Sequence, residues 1–177
     1  MLIEKDKSSL VIIDVQEKLV AVMPKPHKFI NNIIKLQKAA KILKINTLIS
    51  EQYPKGLGST YNLIKDNFFN ETIQIKKTNF SIPVKNYPLI SNEQIVICGI
   101  EAHVCVLQTA IELADKKKKV YVVQDAIASR NDKDYLTALG RLDKHSNIQI
   151  VSCEMVLFEW LRTSDHSKFK TISQLIK

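Results

Sequence analysis

Residues 94–115 read QIVICGIEAHVCVLQTAIELAD, and this stretch decides the fold. Its first six residues form a run that is apolar on consecutive positions, which is typical of a strand buried on both faces. A five-residue loop follows, and apolar side chains then recur at helical spacing to about residue 115. A buried strand that leads into a helix is part of a βαβ unit, so the stretch predicts a parallel sheet flanked by helices.

The same alternation of strand and helix extends to both ends of the chain. Similar apolar runs predict five more strands, over residues 9–14, 46–50, 72–75, 119–125 and 147–151. Helical spacing predicts a short helix before residue 72 and longer helices over 27–44, 133–145, 154–161 and 167–176. We therefore predict a single domain over residues 1–177 with a three-layer α/β/α fold and a six-stranded, mainly parallel, doubly wound sheet.

Composition excludes several classes of protein. The 177 residues are 45% apolar, which is enough for a substantial core. The three cysteines, Cys98, Cys105 and Cys153, have no CxxC spacing, so we expect neither a disulfide framework nor a structural zinc site. Only four glycines occur, and neither a GxGxxG nor a Walker motif is present. We expect no cofactor.

Net charge raises a second possibility. The chain has 26 basic and 18 acidic residues, a net charge of +8, with four consecutive lysines at residues 116–119. This charge would suit a nucleic-acid-binding or RNA-processing protein. Because no RNP, KH or zinc-knuckle pattern accompanies the lysines, we expect no nucleic-acid partner and keep this function as an alternative.

Charge also bears on location. The longest stretch free of charged side chains has ten residues, 102–111, which is too short to span a bilayer. The first seven residues mix both charge signs and lack an apolar core, so we expect neither a secretory signal nor a transit peptide. These features predict a cytoplasmic protein without a membrane partner.

Reactive side chains follow the predicted strands. Parallel sheets form their ligand sites at the carboxyl ends of the strands, where Asp14 and Cys105 are expected. A thiol near a helix N-terminus feels the positive end of the helix dipole, which favours the thiolate and lowers the pKa of Cys105. A carboxylate such as Asp14 can accept its proton. The alternatives are a buried structural cysteine, and a helix N-cap for Asp14.

Three segments together resemble a known family. VIIDVQ at 11–16, KTNFS at 77–81 and GIEAHVCV at 99–106 are similar to the Asp, Lys and Cys motifs of the isochorismatase-like cysteine hydrolases. The resemblance continues through VQDAIASR at 123–130 and FKTI at 169–172. Within that family, EQYPKGLG at 51–58 is most similar to the isochorismatase-domain-containing proteins.

The resemblance implies a catalytic triad of Asp14, Lys77 and Cys105. Asp14 would accept the thiol proton, Lys77 would stabilise the thiolate, and an acyl group would pass to sulfur before water hydrolyses the thioester. Composition alone does not single out Lys77, since a lone lysine is most often solvated. The resemblance also implies a cis peptide at Ile100-Glu101 and an oxyanion hole built from the backbone N–H groups of Glu101 and Cys105.

Two features separate the chain from relatives of other chemistry. Nicotinamidases of this family carry a histidine-rich metal site after the second strand, whereas residues 51–61 contain no histidine. We therefore expect no catalytic metal. True isochorismatases cleave a vinyl ether without depending on a cysteine at this position, so Cys105 favours the amidase side of the family. We predict a metal-independent cysteine hydrolase acting on a small amide or related C–N bond.

Loops beside the triad provide the predicted pocket. We expect the small-molecule substrate to contact residues that flank the triad, although caps and loop packing are equally open roles for each: Gln16, Glu51, Gln52, Tyr53, Phe80 and His103. The family and the apolar residues of the C-terminal helices, Phe158, Trp160 and Leu161, also suggest a homo-oligomer. A non-catalytic oligomeric scaffold with the same fold is a further alternative.

Overall fold

Six parallel strands form the central layer. The computed structural model describes residues 1–70, 72–83 and 88–176. The strands are β1 (Ser8–Ile13), β2 (Thr47–Gln52), β3 (Thr72–Lys77), β4 (Gln94–Ile100), β5 (Lys119–Ala128) and β6 (Ile148–Val151). They lie in the order β3-β2-β1-β4-β5-β6, and every neighbouring pair is parallel. The predicted six-stranded parallel sheet is confirmed.

Helices cover both faces of this sheet. They are α1 (Glu17–Val20), α2 (Pro26–Leu43), α3 (Pro54–Leu57), α4 (Asn62–Lys65), α5 (Leu107–Asp115), α6 (Asp132–Leu142), α7 (Cys153–Leu161) and α8 (Phe169–Ser173). Side chains of α2, α4, α7 and α8 pack in one core cluster, and those of α5 and α6 pack in another. The predicted three-layer, doubly wound fold is therefore confirmed.

Alternation along the strands divides the core between the two faces. On β4, Val96 and Cys98 lie in the cluster with α2, whereas Ile95 and Ile97 lie in the cluster with α5. On β2, Ile49 faces the first cluster and Leu48 the second. Successive side chains of a strand point to opposite faces, which explains why these strands are apolar on consecutive positions.

Some boundaries differ from the prediction. The segment Ala102–Val106 is a π-helical turn, so Cys105 lies inside that turn and α5 begins only at Leu107. The final helix is shorter than predicted and continues as a 3-10 turn at Gln174–Ile176. The expectation that Trp160 and Leu161 are left over for an interface is wrong, because both are 2% exposed in the core.

Gly99 allows β4 to pass close to β1. Its φ is +119°, and a methyl group there would overlap the backbone of Ile13. We expect Gly99→Ala to lower the free energy of unfolding by about 3 kcal/mol or more, since strain and overlap add. Gly140 in α6 provides a matched control, because outside the backbone of its own helix no atom lies within 4 Å of the added carbon. Gly140→Ala should raise the free energy of unfolding by up to about 1 kcal/mol, and urea denaturation of both variants measures the contrast.

Candidate active site

A buried ion pair lies at the carboxyl ends of the strands. Asp14 directly follows β1 and is fully buried, with a φ of 50° that carboxylate residues tolerate better than most. Lys77 is the last residue of β3, and its Nζ is 2.7 Å from Asp14 Oδ2. The two side chains are 1% and 0% exposed. The structure therefore brings together two of the three predicted catalytic residues.

Residues of β2 complete the hydrogen bonding of this pair. Strand β2 lies between β1 and β3, so its last residues stand between Asp14 and Lys77. Ser50 Oγ donates to Asp14 Oδ1 at 2.7 Å, and Gln52 Oε1 accepts from Lys77 Nζ at 2.8 Å. Buried charges are costly unless they are paired and hydrogen-bonded, and both conditions are met here.

The loop after β3 supplies further acceptors to the ammonium group. Lys77 Nζ donates to the carbonyl oxygen of Phe80 at 2.8 Å, and the carbonyl oxygen of Asn79 lies at 3.2 Å. A lysine that binds carbonyl groups two and three residues further along the chain fixes the path of that loop. Lys77 thus shapes the loop in addition to balancing the charge of Asp14.

Cys105 is the third residue of the predicted triad. It lies close enough to Asp14 and Lys77 for both charges to affect its pKa. Its side chain is buried, and the pKa of the Cys105 thiol is raised to about 12. Burial is the largest cause, and the negative charge of Asp14 adds to it, while the Lys77 ammonium acts in the opposite direction. The expectation of a lowered pKa is wrong, because burial and the carboxylate outweigh the helix dipole and the lysine.

The turn that carries Cys105 is held by one carbonyl group. The N–H groups of Val104 and Val106 both donate to the carbonyl oxygen of Glu101, at 3.1 and 3.2 Å. The peptide bond Ile100-Glu101 is cis, at the position that the family resemblance implies. The Glu101 carboxylate accepts from Arg130 Nε at 2.9 Å. An oxyanion hole at the N–H groups of Glu101 and Cys105 stays a prediction.

Two of the predicted pocket residues serve the loops instead. Gln16 is fully buried; its Nε2 donates to the carbonyl oxygens of Gln52 and Gly58, and its Oε1 accepts from Gln52 N–H. Glu51 is 3% exposed, and its Oε1 accepts from the N–H and hydroxyl groups of Thr60. These contacts anchor the segment after α3, so the structure lends no support to Gln16 and Glu51 as substrate contacts.

Three other predicted pocket residues lie at or near the surface. Tyr53 and Phe80 are about half exposed, and Tyr53 borders a cavity of about 510 Å³ that also reaches Lys77. His103 is partly buried, and its Nδ1 lies 3.0 Å from Ser129 Oγ. All three belong to segments that contact the triad or adjoin it, so their predicted role in binding stays open.

Ser50 is a site residue that the sequence prediction missed. It lies directly beside Ile13 in the register of β1 and β2, one residue before Asp14. The available signal is a polar residue that follows the apolar residues of a predicted strand, because a serine that becomes buried there needs a polar partner. Without the strand order that partner could not be chosen.

Comparison with known proteins shows the family of this chain. A family model described as the isochorismatase domain matches residues 8–154, a range that includes Asp14, Lys77 and Cys105. The chain belongs to the isochorismatase family. Isochorismatase domain-containing protein 2 of Danio rerio is 33% identical over 175 residues, which cover 96% of this chain and 86% of that protein.

Solved structures of similar proteins extend the comparison. The MAR1 ribonuclease from Caenorhabditis elegans is 35% identical, with a TM-score of 0.94 over 99% of this chain and 92% of that chain. An octameric hydrolase of unknown specificity from Escherichia coli is 22% identical, with a TM-score of 0.87 over 99% of this chain and 90% of that chain, and this likeness shows the fold. Both likenesses agree with the fold of the isochorismatase family to which the chain belongs.

The other cysteines of this family member lack the environment of Cys105. Cys98 is fully buried in β4, and burial raises the pKa of its thiol well above the usual range. Burial also raises the pKa of Cys153 to about 12; the charges of Asp125 and Glu154 add to this effect and that of Lys35 opposes it, but these groups do not form the buried Asp14 and Lys77 ion pair. Since the thiols of Cys105 and Cys153 have similar pKa values, the Asp14 and Lys77 pair is what distinguishes Cys105.

Residues 1–70, 72–83 and 88–176 provide neither a clustered set of metal ligands nor a membrane-spanning helix. Within those ranges no group of three or more His, Cys, Asp or Glu side chains is arranged to hold a metal ion. None of the helices there is both long and apolar enough to cross a membrane.

Proposed function

We propose that this protein is a metal-independent cysteine hydrolase that cleaves an amide or related C–N bond of a small molecule. The observation that carries the proposal is the buried Asp14 and Lys77 pair, whose opposite charges both act on the Cys105 thiol. A nucleophilic thiol needs a proton acceptor and a compensating positive charge, and this pair can supply both. Because the two groups already bind each other, the site is organised before substrate arrives.

The first half of the reaction transfers an acyl group to sulfur. With its pKa near 12, the resting Cys105 thiol is protonated at neutral pH. Its proton therefore passes to the Asp14 carboxylate as Sγ attacks the carbonyl carbon of the substrate. When the tetrahedral intermediate collapses, the C–N bond breaks and the leaving amine or ammonia takes that proton. A thioester on Cys105 remains.

The second half returns the enzyme to its starting state. Water attacks the thioester carbonyl and gives a proton to the Asp14 carboxylate. The carboxylic acid product leaves as the C–S bond breaks, and the proton returns to Sγ. In both halves we assign the developing oxyanion to the N–H groups of Glu101, which caps the turn Ala102–Val106, and of Cys105, which lies within it. The positive charge of Lys77 limits the cost of moving negative charge between Asp14 and sulfur.

A screen of small amides tests this function. Primary amides, ureas and nicotinamide analogues are incubated with the protein, and released ammonia is measured with the Cys105→Ala protein as the blank. We expect turnover that EDTA leaves unchanged and, for slow substrates, a mass increase on the Cys105 peptide equal to the acyl group. Turnover that Cys105→Ala retains, or that disappears with EDTA, would contradict the proposal.

Action on RNA is a second candidate, because the relative from Caenorhabditis elegans is named a ribonuclease. The lysine run at residues 116–119 is the strongest basic feature of the sequence. Lys119 opens β5 and Lys118 Nζ donates to the carbonyl oxygen of Ser91, so the run lies at the amino ends of the strands. The triad lies at the opposite ends, which weighs against RNA as the substrate.

Filter binding separates the two candidates. Retention of labelled RNA at low salt, with a steep loss of affinity as salt increases, would favour the nucleic-acid function. No retention at low salt, together with turnover of a small amide, is the result we expect.

Assembly, location and domain organisation are further parts of the proposal. We propose a single-domain homo-oligomer, for which the octameric relative is the support and light scattering during gel filtration is the test. Phe158 is 38% exposed and is available to such an interface.

Three free thiols suit a reducing cytoplasm. The intact triad weighs against a non-catalytic scaffold.

A further inference from the structure

Gln52 uses both ends of its side-chain amide inside the site. Its Oε1 accepts from Lys77 Nζ at 2.8 Å, and its Nε2 donates to the carbonyl oxygen of Thr78 at 2.7 Å. Its backbone N–H donates to Gln16 Oε1, and this contact holds the last residue of β2 in place. Gln52 is 8% exposed, so these contacts replace water as the partners of the amide.

The ammonium group of Lys77 is held by short hydrogen bonds to other groups of the protein. An ammonium carries three N–H donors. Lys77 Nζ has acceptors at 2.7 Å in Asp14 Oδ2, 2.8 Å in Gln52 Oε1 and 2.8 Å in the carbonyl oxygen of Phe80. The Lys77 charge and a side-chain hydrogen bond from Lys77 both lower the pKa of the Cys105 thiol, and the position of the ammonium group depends on these acceptors.

These acceptors differ in what holds them. Asp14 is the charge partner, and the Phe80 carbonyl belongs to the loop that Lys77 itself organises. Gln52 is the neutral acceptor built into a buried strand, and through Thr78 it also holds the first residue of the loop. A substitution at Gln52 therefore removes the acceptor of Lys77 that is anchored in the sheet, and it leaves both charges of the ion pair in place.

We propose that Gln52 is a positioning residue that sets the location of the Lys77 charge beside the Cys105 thiol. This inference rests on the proposed function, and it moves Gln52 from the predicted substrate contacts to the support of the triad. Glutamine suits the position because it accepts from the ammonium and donates to a carbonyl group at once. Glutamate would retain the acceptor but lose the donor, and it would add a second negative charge beside Asp14.

The rate of alkylation of Cys105 by iodoacetamide tests the proposal without a known substrate. Gln52→Met retains the length of the side chain and removes both hydrogen bonds. Since the Lys77 charge lowers the pKa of the thiol, its displacement should decrease the alkylation rate at pH 8 by about tenfold or more. Between pH 7 and 10 the logarithm of the rate should follow a line displaced to higher pH by about one unit for each tenfold loss.

Gln74→Met is the matched control. Gln74 lies on β3, and its Nε2 donates to Glu51 Oε1 and Thr60 Oγ1, on the other face of the sheet from Lys77. The same chemical change there removes two hydrogen bonds that do not involve Lys77, so it should leave the alkylation rate and its pH profile unchanged. Thermal unfolding of both variants measures any common loss of stability.

Each outcome bears on one claim. If Gln52→Met is alkylated as fast as Gln74→Met, or faster, Gln52 does not position Lys77. If Gln52→Met fails to fold, Gln52→Asn replaces it, because the shorter amide cannot span both partners and should show the same loss of rate. If the unmodified protein is labelled as fast at Cys153 as at Cys105, the proposed nucleophile itself is wrong. Preferential labelling of Cys105 with no effect at Gln52 overturns the positioning role alone.

Discussion

Cys105→Ala should lower kcat/KM for the amide substrate by at least about 10⁴-fold, because removal of a covalent nucleophile leaves only binding and oxyanion stabilisation. The same variant should lose the acyl-enzyme mass increase and the iodoacetamide label on that peptide. Substrate affinity should change little by comparison, since a truncated thiol leaves the surrounding loops in place. Ammonia release under single-turnover and steady-state conditions measures both effects.

Cys153→Ala is the control for this experiment. Its thiol is buried and has a pKa near 12, like that of Cys105, but it donates to the carbonyl oxygen of Asn32 and has no contact with the Asp14 and Lys77 pair. We expect full turnover from Cys153→Ala, with a modest loss of stability from the small cavity. Equal loss of activity in the two variants would show that burial of a thiol, and not its chemistry, is what matters at Cys105.

The strands could be predicted from the sequence because each is apolar on consecutive positions. Ser8–Ile13 and Gln94–Ile100 are buried along their whole length. Their sequence pattern therefore predicts a sheet that is covered on both faces. The ends of elements were less predictable. Nothing in the residues Ala102–Val106 distinguishes a π-helical turn from the start of an α-helix, because the same side chains suit both.

The C-terminal helix shows a different limit. Trp160 and Leu161 were expected at an interface because a short helix rich in apolar residues has more such surface than one face can cover. The structure buries both, since α7 packs against α2 and the sheet, and Trp160 Nε1 donates to Ser8 Oγ on β1. Burial on several sides depends on tertiary neighbours that local spacing does not contain.

The site was predictable in position and less so in electrostatics. Asp14 and Cys105 follow predicted strands, so their meeting follows from the topology, whereas Lys77 could be chosen only through the family resemblance. The helix dipole alone predicts a lowered pKa for the Cys105 thiol, and that direction is wrong. The structure adds burial and a carboxylate, and each raises the pKa.

Asp14→Asn should decrease turnover and increase the rate of Cys105 alkylation. The variant retains an oxygen acceptor for Lys77 or Ser50 but loses the negative charge and the proton acceptor. Turnover should fall by about 10³-fold or more, because no group remains to take the thiol proton as Sγ attacks. Alkylation of Cys105 at pH 8 should become faster by about tenfold or more, since this reaction depends on the thiolate fraction.

The direction of the expected change in alkylation rate follows from the protonation state of the resting thiol. Its pKa is near 12, far above pH 8, so the thiolate fraction rises tenfold for each unit by which the pKa falls. The Asp14 charge raises that pKa and the Lys77 charge lowers it, so Lys77→Met should slow both alkylation and turnover. If Asp14→Asn slows alkylation as well, the carboxylate stabilises the thiolate indirectly, through the placement of Lys77, more than it repels it. Rates of alkylation and turnover between pH 7 and 10 for the unmodified protein, Asp14→Asn and Lys77→Met decide between these explanations. If both charges act directly on sulfur, alkylation is faster in Asp14→Asn and slower in Lys77→Met than in the unmodified protein.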